Sequence, residues 1–318
     1  MDILLPTTPV KDQGRTDMCW AYAMLAAIET DRIAMGDSVN LSPLWLERKE
    51  LEEQADNTYL TGDNISLRNM LPEALRLMQC YGMVAWDAYH PDTPASSRVM
   101  SRKVMQLAKA CNGQQRGIAS FRTKLTDILD TDLGPAPRFV FMLGCEYTPL
   151  EFAHSVCMPG DWRAYTSFIH HPFYRPFAIE VPDNRQHHEA MNIPIHILYN
   201  KVVNSLRHHH PVAWEGCMNL GSNALKNSTR DSEENLKSGQ KGLTNNNSEL
   251  QKQRQRLFER HILTDDHCMT IIGMGHTRDG QPLFICKNSW GIGDGNHGLR
   301  YMSARQFMLS TIMIMARE

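Results

Sequence analysis

The hydrophobic pattern of this chain changes along its length, and that change limits the fold more than any other feature. In the first third, apolar residues recur with helical spacing, as in the Ala-rich run that starts at residue 19 and ends near residue 36. The second half instead carries short apolar runs bounded by Pro, Gly and Asp, which predict strands. These runs cover residues 173–181, 212–218, 269–274, 283–287, 299–302 and 311–316. Helices followed by strands predict an α+β protein.

The length of 318 residues favours about two domains. We expect a mainly helical domain over residues 1–165 and a β-rich domain over residues 166–318, the latter interrupted by a helix near residues 191–207. Within the second domain, residues 222–256 contain only five apolar residues among many Asn, Ser, Lys and Gln. That composition predicts a solvated insertion or a mobile loop.

Charge and composition exclude several classes of protein. Lys and Arg total 33 against 35 Asp and Glu, a net charge of -2, which argues against a nucleic-acid-binding protein. No apolar run approaches the roughly 18 residues of a membrane helix. The N-terminal segment is too short for a secretory signal, so we expect a cytoplasmic protein; a removed leader, with a periplasmic or secreted location, stays open. The histidine tract at residues 208–210 resembles a metal-binding tract, but histidines at the end of a predicted helix are more often solvated or near the helix dipole.

Four residues form a candidate set for nucleophilic catalysis. Cys19 lies at the predicted start of a helix, where the dipole favours the thiolate. His267 opens a predicted strand and can transfer protons, and Asn288 follows the next strand and can orient the imidazole. Gln13, six residues before the cysteine, can supply an amide N–H that forms an oxyanion hole with the backbone N–H of Cys19.

Residues next to His267 have two readings each. Asp265 and Asp266 can raise the basicity of the histidine or bind a substrate amino group, or they are solvated loop carboxylates. Cys268 is interpreted as a strand residue that faces the core, not as a second nucleophile. The eight cysteines are scattered and contain no C-x-x-C pair, so most are expected to be free thiols.

Two segments resemble those of papain-like cysteine peptidases. Residues 10–23 resemble the nucleophile segment, and Lys287-Asn-Ser-Trp-Gly resembles the asparagine motif, in which Trp290 shields the Asn–His pair. The chain lacks the C-G-[SA]-C-[WY] signature of the papain and cathepsin branch. Its cysteine and histidine are also 248 positions apart (267 minus 19), against about 130–150 in that branch. Both departures fit the bleomycin hydrolase and aminopeptidase C branch, which residues 133–137, 148–152, 211–217 and 267–270 also resemble.

The resemblance implies a papain-like two-domain fold, with a helical left domain, a β-barrel-like right domain and the active site in the cleft between them. Cys19 would be the nucleophile, His267 the general base and acid, Asn288 the orienting residue and Gln13 an oxyanion donor. Trp20, Trp290 and Asp266 would surround the substrate. The partners would be peptides, and no metal or organic cofactor is expected.

The resemblance favours an aminopeptidase of the bleomycin hydrolase type. Members of that branch carry a C-terminal arm in the cleft that limits cleavage to free N-termini, and they form hexameric cages. Only Arg317 and Glu318 follow the last predicted strand here, so we expect that the same arm does not restrict this protein. An endopeptidase with an open cleft, a Cys-dependent amidase or acyltransferase, and a catalytically silent scaffold stay open, as does a homo-oligomeric state.

Overall fold

A computed structural model describes residues 1–90, 96–113, 117–142, 144–218, 220 and 243–318, except for the side chains of residues 243–246. Helices dominate the first half. They are α1 (Cys19–Ala34), α2 (Pro43–Thr61), α3 (Leu71–Tyr81), α4 (Ser97–Gly113), α5 (Ile118–Leu133), α6 (Pro149–Val156), α7 (Ile195–Arg207), α8 (Leu243–Glu259) and α9 (Ala304–Ser310). None of the helices in these described ranges has the length and hydropathy of a membrane-spanning segment.

The strands form one large sheet and one small hairpin. They are β1 (Ile3–Leu4), β2 (Val140–Met142), β3 (Cys145–Tyr147), β4 (Trp162–Thr166), β5 (Pro176–Ala178), β6 (Glu189–Asn192), β7 (Val212–Gly216), β8 (His267–His276), β9 (Pro282–Lys287), β10 (Leu299–Ser303) and β11 (Thr311–Arg317). The large sheet has the order β10-β9-β8-β7-β11-β4-β6-β5, with β1 paired to the far end of β8. Within the described residues the sheet does not close into a barrel.

The fold is therefore α+β, as the sequence predicts, and α1 is its central helix. Twelve consecutive residues of α1, Trp20–Asp31, are buried, which is typical of a helix enclosed on all sides. The helix lies against β8, where Thr270 Oγ1 donates to the backbone oxygen of Ala23 at 2.7 Å. This contact sets the register between the helix that begins at Cys19 and the strand that begins at His267.

The predicted division into domains at residue 165 stays a prediction. Strand β4 spans that position and pairs with both β11 and β6. A core between α1, the other early helices and one face of the sheet is joined by a second core on the opposite face, where α7 and α9 pack.

The prediction of a solvated loop is wrong for residues 243–256, which belong to α8. Leu250 and Leu257, seven residues apart, are buried on this helix. Buried polar side chains do the rest: Arg254 Nε donates to the Ser167 backbone oxygen at 2.8 Å, and Gln251 Oε1 accepts from the backbone N–H of Ile195 at 2.8 Å. Composition failed here because polar residues pair with loop backbone groups, which lets a helix with few apolar residues be buried. Residues 222–242 of the predicted insertion lie outside the described residues.

Candidate active site

The first turn of α1 presents Cys19 to a cleft. The helix begins at Cys19, with Met18 as its N-cap residue. The first backbone N–H groups of a helix have no intrahelical acceptor, and the helix dipole adds partial positive charge at this end. A thiolate at Cys19 and an oxyanion near its backbone N–H are both stabilised by this position.

A linear hydrogen-bonded arrangement runs from Cys19 to the loop after β9. The Cys19 thiol is hydrogen-bonded to the His267 side chain. His267 Nε2 donates to Asn288 Oδ1 at 2.7 Å, and Asn288 Nδ2 donates to Asp294 Oδ2 at 2.7 Å. Arg300 Nε in turn donates to Asp294 Oδ2 at 2.8 Å. The order of donors fixes both the imidazole and the amide that orients it.

Trp290 covers this arrangement. Its ring centroid lies 4.4 Å from that of His267, at an interplanar angle of 33°. His267 and Asn288 are buried, whereas Trp290 is partly exposed. The indole thus keeps water from the bond between His267 and Asn288, and a hydrogen bond is stronger where water is excluded.

The environment of Cys19 favours its thiolate form. Hydrogen bonds from the Cys268 thiol and from His267, together with the charge of His267, lower the pKa of Cys19 to about 5, although burial acts in the opposite direction. Burial raises the pKa of Cys268 well above the usual thiol range. Cys268 therefore keeps its proton and donates it toward Cys19.

Gln13 lies beside the thiol with its amide orientation fixed. Its Nε2 donates to the Thr16 backbone oxygen at 2.8 Å, and its Oε1 accepts from Ser289 Oγ at 2.5 Å. The Gln13 backbone N–H also donates to the Ser289 carbonyl at 2.8 Å. Because an amide NH₂ has two protons and Thr16 takes one, the other is available to a ligand in the cleft.

The cleft is small and acidic, with a volume of about 190 Å³. Besides Gln13, Cys19, His267, Cys268 and Trp290, it is lined by Gly14, Thr16, Asp17, Arg68, Asn69, Asp183, Asp265 and Asp266. The charged lining outside the catalytic candidates comprises four carboxylates and one guanidinium. Arg68 Nε donates to Asp183 Oδ2 at 2.8 Å, and its Nη2 donates to the Asp265 backbone oxygen at 2.6 Å.

A buried carboxyl pair lies behind the cleft. Glu215 on β7 is fully buried, and its Oε2 accepts from the Leu71 backbone N–H at 2.9 Å. Its carboxyl group contacts that of Asp265. Burial, opposed by the hydrogen bond from Glu215, raises the pKa of Asp265 to about 7, and burial beside Asp265 raises the pKa of Glu215 well above its usual value. The two groups share a proton because like charges this close in a buried site do not both ionise.

The structure brings the four predicted catalytic residues together, along with Trp290 and Asp266. Asp266 Oδ1 accepts from the Met218 backbone N–H at 2.7 Å. Trp20 is the exception, since it is fully buried and its Nε1 donates to the Leu67 backbone oxygen at 2.8 Å instead of facing the cleft. The prediction that Trp20 surrounds substrate is therefore wrong, and its indole supports α1 from below.

Sequence reasoning missed several members of the site. Asp294 was the most accessible of them, because it follows Asn288 by six residues in a Gly-rich loop that must turn back on itself. Asp183 and Glu215 carry no local signal, since each is far from the cysteine and the histidine along the chain. Cys268 was expected to face the core. It is indeed buried, yet it also contacts Cys19.

Potential metal ligands lie outside the cleft. In the described residues, two groups of side chains come close enough to hold an ion: His170, His171 and Glu180, and a second group formed by Glu50, Glu53 and Glu73. The tract at residues 208–210 is engaged otherwise. His208 Nδ1 contacts the Asn204 backbone oxygen at 2.8 Å, and His210 Nδ1 contacts Asp31 at 2.7 Å.

The α+β fold around a central nucleophile-bearing helix is the fold of papain-like cysteine peptidases. A model described as the Peptidase C1-like family matches residues 141–314, more than half of the chain. The chain belongs to the Peptidase C1-like family.

Solved structures support the fold. PepW from Lactobacillus rhamnosis HN001 matches with a TM-score of 0.66 at 16% identity, over 99% of this chain and 81% of that one. SERA5E from Plasmodium falciparum matches with a TM-score of 0.46 at 12% identity, over 97% and 88% of the two chains. Bromelain from Ananas comosus, in complex with the E64 inhibitor, matches with a TM-score of 0.43 at 13% identity, over 98% and 93%. No curated protein matches the sequence significantly.

Proposed function

We propose that this protein hydrolyses peptide bonds through a thioester on Cys19. The observation that carries the proposal is the hydrogen-bonded line from Cys19 through His267 to Asn288, which places an acidified thiol next to an oriented imidazole. A nucleophile with a proton-transfer partner, itself held by a third group, is the requirement for covalent acyl transfer.

Acylation begins with attack of the Cys19 sulfur on the substrate carbonyl carbon. The negative charge that develops on the carbonyl oxygen is stabilised by the free amide N–H of Gln13 and the backbone N–H of Cys19. His267 gives its proton to the leaving amine, and the C–N bond breaks. Throughout, Asn288 accepts the hydrogen bond from Nε2 and keeps the imidazole facing the sulfur.

Deacylation reverses the proton transfer. His267 takes a proton from a water molecule, whose oxygen attacks the thioester carbon. The same two N–H groups stabilise the second oxyanion, and the C–S bond breaks to return the Cys19 thiolate. None of these steps requires a group beyond the described side chains and water.

For specificity we propose aminopeptidase activity of the bleomycin hydrolase type, supported by the acidic lining of the cleft. Asp17, Asp183, Asp265 and Asp266 outnumber the single cation Arg68, which itself pairs with Asp183. A free α-ammonium group near the scissile bond complements such a lining, because paired charges in a confined site attract strongly. An acetylated N-terminus offers no such charge.

The test compares one peptide with a free N-terminus and the same peptide N-acetylated, with Cys19→Ala as the inactive control. We expect residue-by-residue, Cys19-dependent cleavage of the free form alone. Asp265→Asn should raise KM for the free peptide by about tenfold, or about 1.4 kcal/mol, whereas Asp279→Asn in the exposed turn after β8 should leave it unchanged.

The other outcomes distinguish the alternatives. Equal internal cleavage of both peptides would overturn the aminopeptidase proposal in favour of an open-cleft endopeptidase. Turnover of small non-peptide amides without peptide cleavage would indicate an amidase or acyltransferase. No Cys19-dependent turnover of any amide, in a protein that folds normally, would indicate a silent scaffold and overturn the proposal altogether.

A further inference from the structure

Two thiols face each other across the interface between α1 and β8. Thr270 on β8 bonds to the Ala23 backbone on α1. Two residues back along the strand, about 6.7 Å, is Cys268, and four residues back along the helix, about 6 Å, is Cys19. The matched steps bring the two side chains together, and the thiols are in hydrogen-bonding contact.

The two sulfurs differ in reactivity but share access to the cleft. Cys19 is partly exposed and holds its thiolate at low pH, whereas Cys268 is buried and stays protonated. Both line the same cavity. Peptide hydrolysis uses Cys19 and leaves the sulfur of Cys268 without a covalent role. A nucleophilic thiolate beside a second thiol is the arrangement found in redox-sensing cysteine pairs.

We propose that Cys19 and Cys268 form a reversible disulfide in response to peroxide, which switches the enzyme off and protects its nucleophile. This inference concerns the redox chemistry of the site and goes beyond peptide hydrolysis. All eight cysteines are free in the structure, so the described state is the reduced one.

The chemistry takes two steps. The Cys19 thiolate attacks one oxygen of hydrogen peroxide, the S–O bond forms, the O–O bond breaks and hydroxide leaves, which makes Cys19 a sulfenic acid. The sulfur of Cys268 then attacks the sulfur of Cys19, the S–S bond forms and the S–O bond breaks. The departing oxygen takes the Cys268 proton and leaves as water. Two electrons pass from the sulfurs to peroxide, and two equivalents of a small thiol reductant reverse the change.

The experiment treats the full chain with a small excess of hydrogen peroxide and maps its thiols by non-reducing peptide mass spectrometry. The matched variant is Cys268→Ser, whose hydroxyl keeps a hydrogen-bond donor toward Cys19 but cannot form a disulfide. Cys268→Ala is the second variant, and it removes the donor as well. A sulfenic acid probe, dimedone, reports on Cys19 in each protein.

In the wild type we expect a linked peptide pair containing Cys19 and Cys268, little dimedone labelling, and full recovery of the free thiols after addition of a thiol reductant. In both variants Cys19 should instead be labelled by dimedone and progress to the irreversible sulfinic acid. Absence of the linked pair, or equal irreversible oxidation of Cys19 in the wild type and in Cys268→Ser, would overturn the inference. The mass readout needs no substrate, so its failure is distinguishable from failure of the proposed function.

Discussion

Replacing Asp294 with Ala should lower kcat/KM by about tenfold without changing the fold. Asp294 Oδ2 accepts the hydrogen bond from Asn288 Nδ2, while Asn288 Oδ1 accepts the one from His267 Nε2, both at 2.7 Å. The carboxylate therefore determines which end of the amide faces the imidazole. Without it, a flipped amide would place an N–H against the N–H of His267.

The expected size follows from the surroundings of the carboxylate. A hydrogen bond to a charged group contributes about 1.5–3 kcal/mol. The Asp294 side chain is 14% exposed and is also paired with Arg300, so we take the lower end of that range. About 1.4 kcal/mol corresponds to tenfold in rate. The main-chain bonds of Asp294, to Gly291 and Gly298, do not depend on its side chain.

The assay measures kcat/KM on a peptide substrate for the wild type, Asp294→Ala and Asp294→Asn, with circular dichroism and thermal unfolding as controls for folding. The Asn variant keeps an oxygen acceptor and should lose less activity than the Ala variant. Asp279→Ala, in an exposed turn, serves as the matched control and should behave as the wild type. A folded Asp294→Ala protein with wild-type kcat/KM would refute the claim that Asp294 holds the orienting amide.

Three further predictions address the oxyanion donor, a buried acid and a turn. Gln13→Ala should lower kcat by about 10²–10³ if its amide N–H binds the oxyanion, and a loss below tenfold in steady-state assays would make it a structural residue. Burial raises the pKa of Glu47 to about 7. The unfolded carboxyl ionises from about pH 4.5 while the folded one keeps its proton, so wild-type stability falls as pH rises toward about pH 7. Glu47→Gln should therefore gain stability, up to about 3 kcal/mol, on going from about pH 5 to about pH 8 in urea unfolding; a gain independent of pH would contradict the assignment. Gly82 has φ of 76°, and a Cβ there would lie 2.1 Å from the Pro149 carbonyl carbon. Gly82→Ala should cost at least about 2 kcal/mol, and unchanged thermal stability would contradict this steric argument.

Local patterns in the sequence predicted the α+β class and the elements that carry the chemistry. The helix that starts at Cys19 and the strand that starts at His267 were expected at those residues, because apolar spacing and local turn chemistry report directly on such elements. The strand β4 was not foreseen. Its residues alternate too little to stand out, and its pairing with β11 joins segments that are about half the chain apart.

The remainder depends on tertiary contacts that have no local signature. Glu215 and Asp265 share a proton because β7 and the residue before β8 meet behind the cleft, which no spacing in the sequence reveals. Trp20 follows the nucleophile in sequence, yet helix geometry turns its ring away from the cleft and toward Leu67. Adjacency along the chain was a poor guide to position for Trp20, and the same adjacency hid the contact between Cys268 and Cys19.

The central claim is that Cys19 carries a covalent acyl intermediate. The most direct measurement is intact-protein mass spectrometry after rapid acid quench of a reaction with a peptide ester or amide, followed by peptide mapping. We predict a mass increase equal to the acyl group, located on Cys19, absent in Cys19→Ala and lost with time at neutral pH. Turnover that persists in Cys19→Ala, or an acyl group found on another residue, would contradict the account.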